Sequence, residues 1–134
     1  MSITYPKGFR ASGVSAGLRR SGSPDMALII NDGPGDAAAG VLTSNRVYAA
    51  PVAWCRTVLA AGSARGVVVN SAGANACTGA EGLADSRAEA ELVGQLQGWP
   101  AEQVLVSSTG VIGQRLDMDK VLGGIRTAHT ELGS

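Results

Sequence analysis

The sequence predicts an α/β fold in which helices flank a mixed β-sheet. Two runs rich in Val and Leu, residues 65–69 and 104–106, are typical of buried strands. Each run is followed by a longer segment, 78–98 and 117–132, whose apolar residues recur at helical spacing. Strands that alternate with helices favour a sheet with helices packed against it. The 134 residues correspond to one ordinary domain, so we expect residues 1–134 to form a single unit.

The amino-terminal third is predicted to contain a hairpin. Residues 6–22 are rich in Gly, Ser and Arg, which predicts an irregular or weakly extended lead-in. The apolar run 25–30 ends at Asn-Asp-Gly-Pro-Gly in 31–35, a composition typical of a strand followed by a tight turn. The Ala-rich run 37–43 is the expected partner strand. A short helix is predicted over 52–61, because Trp54, Val58 and Leu59 fall at helical spacing.

The two longer helices each have a start signal. Thr78 and Glu81 have the spacing of a capping box, and Trp99-Pro100 is expected to end the helix that they begin. The apolar stripe of that helix would be Ala84, Ala88, Leu92, Val93 and Leu96, with Asp85, Arg87, Glu89 and Glu91 facing water. Asp117 is the expected cap of the last helix. The apolar positions that share one face of it are Met118, Val121, Leu122, Ile125, Ala128 and Leu132.

Composition argues against several classes of function. The formal net charge is zero, with 11 basic and 11 acidic residues mixed along the chain, so no basic stripe favours nucleic acid or an anionic membrane. Cys55 and Cys77 are too few for a disulfide framework or a four-ligand zinc site, and we interpret both as reduced thiols. No stretch resembles a signal peptide or approaches the roughly twenty apolar residues of a membrane span. We therefore expect a cytoplasmic protein without a metal.

The small residues after the strand at 104–106 form the main candidate for chemistry. Ser107, Ser108, Thr109 and Gly110 predict a turn whose small side chains leave backbone N–H groups exposed. In an acyl-transfer enzyme, a backbone N–H and a hydroxyl at such a turn stabilise the oxyanion of a tetrahedral intermediate. Taken alone, these residues favour a turn that has no catalytic role, because turns of this composition are common. The glycines around 110–113 match no phosphate-binding motif, so no nucleotide cofactor is expected.

The other candidate residues favour structural roles. His129, the single histidine, follows Ile125 by one helical turn and lies near a helix end, where it complements the helix dipole. Cys77 precedes a helix, where a thiolate is favoured, but no neighbour supplies a base, so we expect a small packed residue. Asn70 and Asn75 either present amides to a polar ligand or bridge loop backbone, and the second role is the expected one.

Seven short strings along the chain are similar to one protein family. They are Pro6-Lys7-Gly8-Phe9, Asp25-Met26-Ala27-Leu28, Ala39-Gly40-Val41-Leu42-Thr43-Ser44-Asn45-Arg46-Val47, Ala50-Pro51-Val52, Asn75-Ala76-Cys77-Thr78-Gly79, Ser108-Thr109-Gly110-Val111-Ile112-Gly113 and Met118-Asp119-Lys120-Val121. On these strings, which occur in order, the chain resembles the ornithine acetyltransferase family of arginine biosynthesis. Nothing in it matches the motif of that family's nucleophilic threonine. The chain therefore resembles all or part of the amino-terminal α chain.

The resemblance implies an acyltransferase that moves an acetyl group from N-acetylornithine to glutamate. Some members also use acetyl-CoA as a substrate, and no cofactor is implied. Members are made as one precursor that cleaves itself, and the cut exposes a β-chain threonine that carries the acetyl group. The family's Thr-Gly pair falls on Thr109 and Gly110, which implies that they form the oxyanion hole. The β chain is thus the implied partner, completing the fold in αβ heterodimers that associate further into heterotetramers.

One loop departs from the family, and two other functions stay open. Many members have Asn-Ser-Gly-Asn-Ala-Asn at positions 70–75, whereas this chain lacks a side-chain amide at Gly73, so no ligand contact is carried over for this loop. The first alternative is a related self-processing amidase or aminopeptidase that hydrolyses its acyl-enzyme with water. The second is a non-enzymatic binding or regulatory module.

Overall fold

A computed structural model describes residues 2–133 of the chain. Its elements are β1 (Phe9–Val14), β2 (Met26–Asn31), α1 (Ala50–Leu59), β3 (Gly66–Gly73), α2 (Gly79–Gln97), β4 (Val104–Val111) and α3 (Met118–Thr130), with a 3₁₀ turn at Ala101–Gln103 before β4. The strands form one sheet in the order β1-β2-β3-β4, in which only the β3–β4 pair is parallel. The predicted α/β fold with a mixed sheet is confirmed. Within residues 2–133, no helix is long and apolar enough to cross a membrane.

One face of the sheet supplies the hydrophobic core. Leu28 of β2 lies beside Val68 of β3, which lies beside Val106 of β4. Leu28 and Val68 are fully buried, and Val106 is nearly so. On this face α3 packs against β1 and β2, while α2 packs against β3 and β4. The core therefore lies between this face and the two long helices. Burial of each side chain of this size contributes about 1.5–3 kcal/mol to the stability of the fold.

Helix α3 forms as its sequence predicts. The Asp117 carboxylate caps it by accepting a hydrogen bond from the Lys120 backbone N–H at 3.3 Å. Val121, Ile125 and Ala128 are fully buried. The face chosen by the 3.6-residue period is therefore the face that packs on the sheet.

The lead-in over residues 6–22, predicted to be irregular or weakly extended, contains a regular strand, β1. The strand pairs with β2 along its whole length. The hydroxyl of Ser12 donates a hydrogen bond to the Ala128 carbonyl at 2.6 Å, which ties the strand to α3. β1 thus forms through contacts with distant parts of the chain, and its own sequence carries little strand signal.

The predicted hairpin is also wrong, although its turn exists. Asn31 accepts a hydrogen bond from the Gly33 N–H and donates one to the Gly35 carbonyl, as expected of a turn at 31–35. The run 37–43 does not pair with β2, because β1 and β3 already occupy both sides of that strand. Ala37 instead forms an isolated bridge with Ser63.

Helix α1 begins and ends two residues earlier than predicted, with Pro51 in its first turn. It lies against β4, the last strand of the sheet. The indole N–H of Trp54 donates to the Val104 carbonyl at 2.8 Å, and the Cys55 thiol donates to the Val106 carbonyl at 3.1 Å. Burial raises the pKa of the Cys55 thiol. Side chains of α1 therefore satisfy two backbone carbonyls of β4.

Helix α2 begins after Thr78 as predicted, but the capping box does not form. The Thr78 hydroxyl donates to Asn75 Oδ1 at 2.7 Å and caps no backbone N–H of the helix. Glu81 forms an ion pair with Arg115, with 3.2 Å between the charged atoms. The helix ends at Gly98, which takes the left-handed conformation with a φ of 74°, immediately before the predicted stop.

The rotation of α2 differs from the prediction. Ala84, expected in the apolar stripe, is exposed. Asp85 and Glu89, expected to face water, are only 6% and 0% exposed. Ser86 is buried with them, whereas Val93 enters the core as predicted. The helix therefore turns polar residues of its first half toward the sheet.

The contacts of Asn75 explain this rotation. Its amide group donates to the Gly82 carbonyl at 2.8 Å and to the Ser86 hydroxyl at 3.0 Å. Gly82 allows this approach, since a Cβ at that position would overlap Oδ1 of Asn75 and the hydroxyl of Thr78. Buried hydrogen bonds thus decide which face of α2 points inward, and the small apolar residue Ala84 is left exposed.

Replacing Gly82 with Ala should destabilise the fold. The added methyl overlaps the Asn75–Thr78 pair, and such overpacking costs about 1–3 kcal/mol of the free energy of unfolding. Gly123→Ala is the matched control, because Gly123 lies in α3 and a methyl group added there would have no neighbouring atom within 4 Å. That control should stabilise by up to about 1 kcal/mol. Urea denaturation measures both changes, and equal midpoints for the two variants would contradict this account.

Candidate active site

Thr109 and Gly110 lie in β4 near its carboxyl end. The predicted turn at 107–110 is wrong, because β4 continues in parallel register with β3, which itself runs past its predicted end at 69. Ser71 pairs with Thr109, and Ala72 pairs with Gly110. The carboxyl ends of two parallel strands thus meet here, which is where open α/β sheets commonly bind ligands.

The backbone at Gly110 excludes any other residue. Its φ is 140°, a conformation that L side chains rarely adopt. A Cβ there would also overlap the carbonyl group of Ala72 on the neighbouring strand. Thr109 and Gly110 are both exposed, so the pair is accessible in this chain.

A surface pocket of about 620 Å³ opens beside this pair. Besides Thr109 and Gly110, the residues that line it are Leu18, Arg19, Arg20, Ser21, Ala72 and Val111. Two of these residues carry guanidinium groups and none is acidic. The pocket therefore offers a positive environment next to a threonine hydroxyl, which favours an anionic ligand.

The loop before β2 holds Arg19 in this pocket. The carboxylate of Asp25, which is only 3% exposed, accepts hydrogen bonds from the backbone N–H groups of Ala16 at 2.6 Å and Arg19 at 2.8 Å. The Arg19 side chain donates from Nε to the Ser71 carbonyl at 2.9 Å. Sequence reasoning missed Arg19, because its position depends on a contact between residues 52 positions apart.

A buried network of hydrogen-bonded polar side chains lies behind the Thr109–Gly110 pair. The amide of Asn70 donates to the Ser108 hydroxyl and to Glu89 Oε2, both at 2.9 Å. Asn70 and Glu89 are fully buried. Asn70 thus joins two side chains, and the prediction that it bridges loop backbone is wrong. This network connects α2 to Ser108, the residue that precedes Thr109.

Glu89 holds its proton in this environment. Burial raises the pKa of its carboxyl from 4.5 to about 8; the hydrogen bond from Asn70 opposes the rise, and the nearby charge of Asp85 adds to it. Within residues 2–133, Glu89 Oε1 and Asn70 Oδ1 have no hydrogen-bond partner. A carboxyl that keeps its proton avoids a buried charge. In the sequence, the signal that could have identified the inward face of α2 is the helical spacing of Gly82, Ser86, Glu89 and Val93.

A family model described as the ArgJ family matches residues 10–134. This chain belongs to the ArgJ family. It is 53% identical, over 98% of its length, to the arginine biosynthesis bifunctional protein ArgJ of Streptomyces coelicolor. It is 54% identical, over 92% of its length, to the protein of the same name from Mycobacterium tuberculosis. The matches cover 34% and 32% of these relatives, so the chain spans about a third of their length.

Solved structures agree with this membership. The ornithine acetyltransferase of Mycobacterium tuberculosis, crystallised in complex with ornithine, superposes with a TM-score of 0.96 and is 50% identical in sequence. That match covers 98% of this chain and 70% of the other. The arginine biosynthesis bifunctional protein ArgJ of Bacillus halodurans gives a TM-score of 0.89 at 38% identity, covering 94% of this chain and 65% of the other. The resemblance inferred from short strings is therefore confirmed.

The remaining candidates of this ArgJ-family chain do not join the pocket lining. His129 is half-buried in the last turn of α3, as predicted. Cys77 is exposed with a φ of 57°, so the expectation of a packed residue is wrong. At Gly73 a Cβ would lie 2.9 Å from Leu116 Cδ2, so the amide that many members carry there would require the Leu116 side chain to move. Within residues 2–133, no group of three or more His, Cys, Asp or Glu side chains is placed to hold a metal.

Glu89 should make stability depend on pH. The pKa of Glu89 is about 8 in the folded state and 4.5 ordinarily. Between pH 4.5 and pH 8, the folded state therefore keeps a proton on Glu89 that the unfolded state has lost. Stability is then highest below about 4.5 and falls as pH rises towards 8, by at most about 1.4 kcal/mol per pH unit. Glu89→Gln should remove this part of the dependence, whereas Glu91→Gln, on an outer position of α2, should retain it. Thermal unfolding across pH measures the slopes; an unchanged slope in Glu89→Gln would contradict the assignment.

Proposed function

We propose that this chain is the α-chain part of an ornithine acetyltransferase. In this proposal the enzyme moves an acetyl group from N-acetylornithine to glutamate during arginine biosynthesis, through an acetyl-threonine on a separate β chain. The supporting observation is the exposed Thr109–Gly110 pair at the carboxyl ends of two parallel strands. The names of the relatives, one of them crystallised with ornithine, fit the same reaction.

The proposed role of the pair is charge stabilisation. The β-chain threonine oxygen attacks the acetyl carbonyl, an ester bond forms, and the C–N bond to ornithine breaks as its nitrogen takes up a proton. The α-amine of glutamate then attacks the ester, and the threonine oxygen leaves and regains its proton. In both steps the carbonyl oxygen becomes an oxyanion. The Thr109 hydroxyl and the Gly110 N–H would donate hydrogen bonds to it.

The uncovered face of the sheet supports a need for more polypeptide. Opposite the core, Ile29, Val67, Val69 and Leu105 are only half-buried, although all four are aliphatic. A sheet face that meets water normally carries polar residues. The relatives are about three times as long as this chain, and the rest of such a protein would cover this face.

The assembly follows from the same proposal. One precursor cleaves itself into α and β chains, of which residues 1–134 form one domain of the α chain. The resulting αβ heterodimers associate into a heterotetramer or larger oligomer in the cytoplasm. Acetyl-CoA would serve as a second acetyl donor, a use that agrees with the word "bifunctional" in the relatives' names. No tightly bound cofactor takes part.

Thr109→Ala should slow acetyl transfer by about 10²–10³-fold, because one oxyanion donor is lost. Thr109→Ser keeps the hydroxyl and should retain most of the turnover. Thr127→Ala is the control, since its hydroxyl bonds within α3 to the Gly123 carbonyl. Turnover is measured on separately encoded α and β chains purified as a complex, so that self-cleavage does not limit the result. Full activity in a folded Thr109→Ala complex would contradict the proposed role.

The same complex separates the alternative functions. A transferase releases ornithine from N-acetylornithine in multiple turnovers only when glutamate is present. An amidase or aminopeptidase of related architecture releases it with water alone. A binding module would bind ligand as the isolated chain and gain nothing from the β chain.

A further inference from the structure

The end of β4 that carries Thr109 is anchored to the core by one side chain. The bonds from α1 to β4 reach the carbonyls of Val104 and Val106, which lie earlier in the strand. From Ser107 to Val111, every residue is exposed except Ser108. Ser108 is therefore the residue through which this strand end is attached to the buried side of the sheet.

The partner that holds Ser108 is Asn70, which lies directly beside it in β3. The amide nitrogen of Asn70 donates to the Ser108 hydroxyl and to Oε2 of Glu89, both at 2.9 Å. A side-chain amide has two N–H donors, so both are used. The direction in which Asn70 points its second N–H at Ser108 thus depends on its contact with Glu89.

Two buried acceptor atoms of this network lack a donor. Within residues 2–133, Asn70 Oδ1 and Glu89 Oε1 have no hydrogen-bond partner, although the two groups already meet through Nδ2 and Oε2. A neutral carboxyl has one O–H, and an O–H on Oε1 that donates to Oδ1 satisfies both atoms at once. A carboxylate would instead leave Oδ1 buried without a donor, which costs free energy.

We propose that Glu89 is a positioning residue for the oxyanion hole: its protonated carboxyl fixes the Asn70 amide through two hydrogen bonds, and Asn70 in turn fixes Ser108 and the neighbouring Thr109 and Gly110. This inference rests on the proposed function and adds to it a residue that touches no substrate. Ionisation of Glu89 removes the bond to Oδ1, so that the amide turns more freely and holds Ser108 less well. The raised pKa of Glu89, about 8, agrees with a protonated carboxyl at neutral pH.

Asp85 is the charged group that acts on Glu89 from the same helix. It lies one turn earlier in α2, where its negative charge favours the protonated form, and it is paired with Arg115 at 2.7 Å. Neither β3 nor β4 contains a titratable side chain. In α1, α3 and the 3₁₀ turn, which also pack against α2, the titratable side chains are exposed except for Cys55 and His129. The Cys55 thiol is bonded to the Val106 carbonyl, and His129 lies in the last turn of α3.

The test is the pH profile of kcat for acetyl transfer, measured on separately encoded α and β chains purified as a complex. In the wild-type complex kcat should fall about tenfold between about pH 6.5 and about pH 9.5, with an apparent pKa of about 8, because a misplaced oxyanion donor slows turnover. KM should change by less than about twofold, since the donors act in the transition state. Glu89→Gln should lack this fall, because its amide N–H donates to Asn70 Oδ1 at every pH. Glu91→Gln is the matched control and should keep the fall.

An infrared measurement locates the proton independently of turnover. The difference spectrum between the wild-type and Glu89→Gln complexes should contain the C=O stretch of a protonated carboxylic acid at about pH 6.5 and lose it by about pH 9.5. Circular dichroism at each pH restricts the comparison to folded complex. A missing band, a wild-type kcat that does not fall, or the same fall in Glu89→Gln would overturn the assignment of Glu89. Absence of acetyl transfer at every pH, with the band present, would instead refute the proposed function itself.

Discussion

The parallel pairing of β3 with β4, maintained to the ends of both strands, is the constraint on which the candidate site depends. It aligns Ser71 with Thr109 and requires a glycine at 110, where the backbones of the two strands lie too close for a side chain. Because side chains alternate along a strand, Ser108 points to the helices and Thr109 to the open face. One pairing thus connects the buried Glu89–Asn70–Ser108 network with the exposed pocket at the carboxyl ends of the two strands.

The sequence predicts those parts of the fold that depend on local pattern. β3, the first half of β4, and α3 with its Asp117 cap follow from apolar runs, helical period and capping chemistry. β1 lacks such a pattern and forms because β2 offers an unpaired side. The rotation of α2 was predicted wrongly because the Asn75 amide selects its inward face through hydrogen bonds that periodicity does not contain.

The candidate site was predictable in part for the same reason. Thr109 and Gly110 stand out as small residues after an apolar strand, and the family resemblance points to the same pair. The turn predicted there was wrong, since hydroxylated residues remain in a strand when a neighbouring strand continues alongside them. Arg19 gave no local signal, and for Glu89 the signal was confined to the helical spacing of Gly82, Ser86, Glu89 and Val93. Their placement depends on the Ser71 carbonyl and on Asn70, which lie far from them in the sequence and close to them in the fold.

The bonds from α1 to β4 restrict how the sheet can grow. The side chains of Trp54 and Cys55 occupy the carbonyls that an incoming strand would need on that border. An added strand therefore cannot pair with β4 at Val104 and Val106 while α1 stays in place. The aliphatic face of the sheet carries no such restriction. A second layer stacked on that face would reach the border that carries Thr109, where the exposed corner of the sheet is open to it.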